Sequence, residues 1–131
     1  MPEKISFDYA IIRLVPYVER QEFINVGVII FCRKSNYLNV MIDFELGRLP
    51  SFAPHADINM IQNTLHAIEK RCMDSDKKSP NSWNKSQCFH WLISPSSSII
   101  QMSPVHSGFS ECLPKTLEEL YELFVSYTKK G

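Results

Sequence analysis

Two apolar segments near the N-terminus constrain the fold more than any other part of the chain. They are Tyr9–Val15 and Phe23–Cys32, and a short polar loop containing Glu19 to Glu22 separates them. Ile, Val, Phe and Tyr side chains pack well on a pleated surface, so both segments are predicted to be β-strands. The loop is too short for a parallel crossover, which predicts an antiparallel hairpin. Because both faces of each strand are apolar, the hairpin belongs in the middle of a sheet.

Arg13, Asn25 and Gly27 interrupt this apolar pair. A glycine inside a strand marks a bulge or the close approach of another group. A buried arginine needs a partner, because an unpaired buried charge is costly, and Glu22 is the nearest candidate across the hairpin. Two interpretations are open. Either a structural pair fixes the hairpin register, or a polar pocket at one end of the sheet combines Arg13, Arg20, Glu22 and Asn25.

The remaining chain alternates between strand and helix patterns within 131 residues, a length that suits one domain, 1–131. Asp57 is a predicted N-cap, and Thr116 with Glu119 forms a predicted capping box. The predicted elements are a three-stranded meander 5–44, a helix 57–72, a mobile loop 73–87, two strands within 88–103 and a C-terminal helix 116–129. This order predicts an α+β fold in which two amphipathic helices pack on a mainly antiparallel sheet of about five strands.

Composition excludes several classes of function. Hydrophobic residues make up 44% and charged residues 21% of the chain, which is ordinary for a globular protein. The net charge is zero, which disfavours nucleic acid as a partner. A local basic patch would need to combine Arg33, Lys34, Arg48, Lys70 and Arg71. A signal segment and a membrane-spanning apolar run are both missing, so we expect a cytoplasmic protein without membrane attachment.

Metal and cofactor chemistry find little support. The four cysteines are widely separated and are expected to be thiols. Cys88 and His90 form a Cys-x-His pair, but this spacing matches no common zinc template, and both residues fall on a predicted strand. Four glycines are too few and too scattered for a phosphate-binding loop. Neither a metal nor a cofactor is predicted.

Candidate catalytic groups are also weak. Ser103 and His106 lie three residues apart, but a nucleophilic serine needs a base within reach, an orienting carboxylate and oxyanion donors. A metal-dependent nuclease could draw on the acids Asp8, Glu19, Glu22, Asp43 and Glu45. Of these, Asp43 and Glu45 are acids of the kind that the ends of strands usually carry. No catalytic residue is therefore predicted.

Aromatic side chains make interaction easier to support. Trp83 lies in the predicted mobile loop 73–87 and Trp91 in the apolar segment that follows it. Both are candidate anchors for a protein partner. Trp83 either folds back onto the body of the protein or anchors a partner, and the first interpretation is favoured.

Two signatures give the chain a family resemblance. The first is Arg13–Val28, in the form R-x-V-P followed by N-V-G-V, and the second is Trp91–Gly108, in the form W-L, I-I-Q and P-V-H-x-G. The chain resembles the bacterial family catalogued as domain of unknown function 3037, whose members are often encoded beside a HipA-like kinase of toxin and antitoxin pairs. The resemblance covers nearly the whole chain. The residues that fall on its signatures are Arg13, Pro16, Arg20, Asn25, Gly27, Trp91, Ser97, Gln101, Ser103, His106 and Gly108.

The leading hypothesis is a non-enzymatic, antitoxin-like interaction partner of a HipA-like kinase. An exposed strand edge also offers a route to a homodimer. The alternative is a small enzyme or nucleic-acid-processing protein that uses Arg13, Arg20, Glu22, Asn25 and His106. The complete candidate polar site is Arg13, Arg20, Glu22, Asn25, Gln101, Ser103 and His106. An enzyme requires convergence of these groups in a cleft, whereas an interaction protein requires internal pairs and an exposed apolar patch elsewhere.

Overall fold

The central hairpin grows into an antiparallel sheet. The computed structural model describes residues 3–47, 49–76, 83–94 and 99–126. The strands are β1 (Ile5–Leu14), β2 (Ile24–Cys32), β3 (Tyr37–Ile42), β4 (Ile100–Met102) and β5 (His106–Ser110). Strands β1, β2 and β3 pair antiparallel in chain order, where the sequence predicts the meander.

β4 and β5 together form the second edge of the sheet, and both pair antiparallel with β1. The register changes between Met102, opposite Ile12, and His106, opposite Tyr9. One extra residue on this edge strand therefore makes a β-bulge, and Pro104 lies within it, where no ladder amide is lost.

The helices cover both faces of this sheet. They are α1 (Leu49–Phe52), α2 (Ile58–Asp74), α3 (Lys85–Leu92) and α4 (Leu113–Tyr121), followed by a π-helical turn (Glu122–Ser126). One buried core joins Ala10, Ile12 and Leu14 of β1 to α1, α2 and α3. A second core joins Phe7 and Ile11 to α4 and the π-helical turn. Coverage on both faces explains why β1 and β2 read as continuous apolar runs, and the predicted α+β class is confirmed.

The predicted helix at 57–72 forms as α2 with Asp57 as its N-cap. The Asp57 carboxylate accepts a hydrogen bond from the Met60 amide at 3.1 Å. The last predicted helix begins earlier than the capping box indicates, because Cys112 is its N-cap and Pro114 fits the first turn. Thr116 instead shares a hydrogen bond with the Ser110 hydroxyl at 2.6 Å. The predicted start at 116 is therefore wrong.

The first of the two strands predicted within 88–103 is wrong, because the helix α3 (Lys85–Leu92) occupies the start of this segment. Asn84 and Gln87 form a capping box that starts the helix, and Cys88, Phe89 and Leu92 face the core. The second strand predicted within 88–103 forms as the short β4, and β5 follows in a segment where the sequence analysis predicts no strand. Residues 77–82 of the predicted mobile loop, 95–98 and 127–131 lie outside the described residues. No helix in the described ranges has the length and apolarity needed to cross a membrane.

Candidate functional site

Three of the predicted site residues lie side by side on the α4 face of the sheet. Arg13 of β1 pairs with Asn25 of β2 and with Gln101 of β4. Directly opposed residues of adjacent antiparallel strands share a face and hold their Cβ atoms about 4.5–5.5 Å apart. A bulge in β2, between the partners of Ile12 and Arg13, brings Asn25 into this position. We call Gln101, Arg13 and Asn25 the polar row.

Arg13 is half-buried and lies against an aromatic ring. Its guanidinium carbon is 4.1 Å from the centre of the Phe23 ring, a cation–π contact. Its Nε atom is buried and has no hydrogen-bond partner among the residues that the structure describes. Among the described residues, no carboxylate lies within ion-pair distance of this side chain. The charge of Arg13 is therefore not balanced by any described acid.

Asn25 and Tyr9 connect the sheet to the C-terminal π-helical turn. The Asn25 amide Nδ2 donates a hydrogen bond to the Phe124 carbonyl oxygen at 3.0 Å. Phe124 also packs near Tyr9, with ring centres 6.3 Å apart, and the His106 ring lies 5.4 Å from that of Tyr9 at a tilt of 32°. His106 is exposed and lies on the same face as the polar row, beyond Tyr9.

Arg20 and Glu22 do not join the polar row. The Arg20 Nη2 and the Glu22 Oε2 are 3.2 Å apart, and their side chains are 61% and 50% exposed. Arg20 also lies 5.9 Å from the centre of the Tyr17 ring. Glu22 therefore pairs with its near neighbour in the loop, and the expected pair with Arg13 does not form.

Ser103 is a structural residue of the edge bulge. It is buried, and its hydroxyl accepts a hydrogen bond from the Ile11 amide at 2.8 Å and donates one to the Pro104 carbonyl at 2.8 Å. A hydroxyl held by two backbone partners is not free to be activated by His106, whose ring packs on Tyr9. The geometry thus gives no support to a Ser/His nucleophile.

Both tryptophans meet one arginine on the opposite face of the sheet. The guanidinium carbon of Arg71, in α2, is 4.7 Å from the Trp83 ring centre and 4.9 Å from that of Trp91. The two indoles approach edge to face at 5.4 Å. Trp83 is half-buried and packs against the core, whereas Trp91 is 55% exposed. We call Trp83, Arg71 and Trp91 the tryptophan cluster.

A polar network braces this cluster. The Asp76 amide donates to the Trp83 carbonyl at 2.7 Å, and the Asp76 carboxylate accepts from Lys85 Nζ at 2.9 Å and Asn36 Nδ2 at 2.7 Å. The hydrogen bond from Lys85, then that from Asn36, lowers the pKa of Asp76 below its ordinary value. The network joins the β2–β3 turn, the end of α2 and the start of α3.

Two buried thiols meet behind the cluster, between α2 and α3. The neighbouring Cys88 thiol, together with burial, raises the pKa of the Cys72 thiol. The interaction with Cys72, helped by the charge of Arg71, lowers the pKa of Cys88. Cys88 faces the core while His90 is exposed, because residues two apart on a helix point to different sides. The two members of the Cys-x-His pair therefore do not share a face of α3. Among the described residues, no group of three potential metal ligands occurs.

Arg71 and Phe23 belong to these two sites, although neither is predicted from the sequence as a site residue. The sequence indicates Arg71 only as a residue of the predicted helix and of a hypothetical basic patch, because its contact with both indoles depends on α3 being helical. Phe23 was treated as a strand residue, although it is 43% exposed and stacks on Arg13. The signal in the sequence is a phenylalanine directly after the hairpin loop, in the same hairpin as the isolated strand residue Arg13.

Together these features define an α+β protein whose helix-covered sheet carries a polar row on one face and a tryptophan cluster on the other. Residues 9–125 match the family described as Protein of unknown function (DUF3037). The chain therefore belongs to this family. No curated protein and no solved structure matched the chain.

Proposed function

We propose that this protein is a non-enzymatic, antitoxin-like accessory protein of the bacterial cytoplasm that docks onto a HipA-type kinase through the tryptophan cluster. One observation carries the proposal: Trp91 is 55% exposed, yet Arg71 and Trp83 hold its ring in place. The choice of partner rests on the family resemblance alone.

The composition of the cluster supports docking. Trp and Arg are enriched among the few residues that carry most of the binding energy at protein interfaces. A large indole that is already held in place buries much apolar area with little loss of conformational entropy. The inner side of α3 is fixed by Cys88, Phe89 and Leu92 in the core, so Trp91 projects from a rigid element.

The charges around the cluster specify the chemistry of the partner. Lys70 pairs with Asp74 at 2.7 Å and Lys85 pairs with Asp76 at 2.9 Å. Arg71 is exposed and, in the described part of the chain, has no carboxylate at ion-pair distance. The complementary surface therefore carries an apolar side chain that packs on Trp91, with a carboxylate directed at Arg71.

Co-purification of the tagged protein with a HipA-like kinase encoded beside its gene, followed by size-exclusion chromatography, tests this proposal. Trp91→Ala and Arg71→Ala should each weaken the complex by about tenfold or more, because they remove central anchors. Leu123→Ala is the matched control, since Leu123 is 64% exposed on the π-helical turn, which packs on the opposite face of the sheet from the cluster. It should leave the complex unchanged.

The proposal fails if the wild-type protein elutes alone. It also fails if Trp91→Ala binds the kinase as tightly as wild type. Trp83→Ala is less informative, because Trp83 packs against the core and its loss also lowers stability.

A further inference from the structure

The charge of Arg13 points to a second binding site. We propose that the polar row binds a carboxylate through the Arg13 guanidinium, on the face of the sheet opposite the tryptophan cluster. This site is separate from the docking function proposed above. It rests on the position of Arg13 between two uncharged neighbours and on the absence of any described acid at ion-pair distance.

The Arg13 guanidinium is partly removed from water and is not paired with any described acid. The side chain is half-buried, and its Nε atom is closed off from solvent without a hydrogen-bond partner. Partial removal of a guanidinium from water weakens its hydration, and an anion at short range restores the lost interaction. The Phe23 ring, with its centre 4.1 Å from the guanidinium carbon, covers one side of the group. A preorganised guanidinium loses little entropy when it binds a ligand.

The charge and shape of the polar row favour a carboxylate as the anion. The polar row contains one positive charge and two carboxamides, and Arg20, in the loop between β1 and β2, is already paired with Glu22 at 3.2 Å. A single charge matches a carboxylate rather than a phosphate dianion. The planar fork of a guanidinium also fits the two oxygens of a carboxylate. Phe23, 43% exposed beside it, favours a ligand in which the carboxylate is attached to an apolar or aromatic group.

A ligand can reach only part of the Arg13 side chain. Because Nε is buried while the residue as a whole keeps part of its surface, the ligand meets the terminal Nη groups. The Asn25 amide is held by the Phe124 carbonyl at 3.0 Å and shapes the wall of the site instead of moving toward the ligand. Gln101 forms the other wall from β4.

Sodium benzoate is the probe for the first experiment. We expect it to shift the Arg13 Nε–Hε resonance in a saturable way, in the millimolar range, at constant ionic strength. Arg13→Lys should weaken binding by about tenfold, because it keeps the charge and loses the fork. Arg13→Met should abolish it. Arg20→Met is the matched control and should bind benzoate as wild type does.

The source of the carboxylate is distinguished by two further probes. Acetyl-Gly-Phe with a free C-terminus tests a peptide carboxylate. The same peptide with a C-terminal amide is the second probe and lacks the charge. Tighter binding of the free acid than of benzoate assigns the site to a chain terminus, and equal binding assigns it to small organic acids. Binding of the amide as tightly as the acid would contradict the proposal, as would a linear shift with every salt.

A second variant keeps the test decisive if Arg13→Met fails to fold. Gln101→Glu places an acid directly opposite Arg13 and supplies the missing carboxylate from within the protein. It should raise Tm relative to both wild type and Gln101→Ala and abolish benzoate binding. The gain in Tm should disappear as the pH falls below about 4.3, where a glutamate becomes protonated. Unchanged Tm together with intact benzoate binding would overturn the proposal.

Discussion

At the scale of single residues, Gly27 occupies the tightest point of the sheet. A Cβ atom at this position would lie 2.9 Å from the Met41 carbonyl oxygen and 3.1 Å from side-chain atoms of both Ile12 and Ile42. The Met41 oxygen belongs to the backbone of β3 and moves only if the strand moves. The glycine is therefore required by close packing in the central strand, beside the bulge that brings Asn25 opposite Arg13.

Gly27→Ala should destabilise the protein by about 1–3 kcal/mol, the usual consequence of overpacking a dense core. Urea denaturation followed by circular dichroism measures the change. Gly47→Ala is the control, because no atom lies within 4 Å of the added Cβ, and it should be close to neutral. Equal stabilities of the two variants would show that the strands separate more easily than this packing indicates.

Ser103 makes a second prediction at this scale. Ser103→Ala leaves the Ile11 amide without its 2.8 Å acceptor at a buried position, which should cost about 1–3 kcal/mol. Ser107→Ala removes an exposed hydroxyl that donates to Asp8 at 2.7 Å and should change stability by less than about 0.5 kcal/mol. Thermal unfolding of both variants checks the difference. Labelling of Ser103 by a serine-reactive fluorophosphonate would contradict its structural role.

At the scale of elements, the central hairpin was predictable and α3 was not predicted. Strands β1 and β2 carry long branched and aromatic runs with no polar face, so their position in the sheet followed from the sequence. The segment from Cys88 to Ile93 is a short apolar run, and periodicity cannot distinguish a strand from a buried helix at that length. The readable signal was the Asn84 and Gln87 capping box immediately before it.

The same limit applies to the candidate sites. Arg13 and Asn25 were both recognisable as polar interruptions, but their direct opposition depends on a one-residue bulge that the sequence does not specify. Trp83 and Trp91 were recognisable as anchors, whereas their contact with Arg71 depends on the packing of α3 beside α2. Long-range register and helix packing decide both sites, and local residue preferences carry little information about either.

The packing of α2 against α3 gives a prediction for thiol chemistry. Cys32, Cys72 and Cys88 are buried and Cys112 is exposed, so iodoacetamide should add one group to the folded protein, at Cys112. Denaturation in urea should expose all four thiols. Mass spectrometry counts the adducts, and Cys112→Ser should remain unmodified while folded. Rapid labelling of Cys88 would mean that α3 opens readily, since its lowered pKa increases reactivity only when reagent can reach it.

At the scale of the whole molecule, the sheet separates two surfaces with different chemistry. The polar row lies on the α4 face, and the tryptophan cluster lies against the core formed by α2 and α3. Because β1 carries Arg13 on one face and packs Ile12 and Leu14 beneath the helices on the other, a rigid layer lies between the two surfaces. Variants at one surface should therefore leave the other unaffected, and their effects on stability should add.

The Asp76 network connects separate parts of this architecture, and its pH dependence tests that role. Hydrogen bonds from Lys85 and Asn36 lower the pKa of Asp76 below its ordinary value of 3.8. The stabilisation is therefore fully present above the pKa of the unfolded chain and is lost as the pH falls through the lower pKa of the folded protein. Asp76→Asn removes the charge and still tolerates the positive φ of 68° at this position.

We expect Asp76→Asn to be less stable than wild type at neutral pH, and the difference in free energy of unfolding should shrink as the solution is acidified through this range. Urea denaturation monitored by tryptophan fluorescence measures both states, since Asp76 holds the Trp83 carbonyl at 2.7 Å. Glu22→Gln is the control, because its pair with Arg20 is exposed and contributes little at any pH. A difference that stays constant on acidification would mean that the Asp76 carboxylate does not stabilise the fold through its charge, and that backbone contacts alone keep Trp83 beside Arg71.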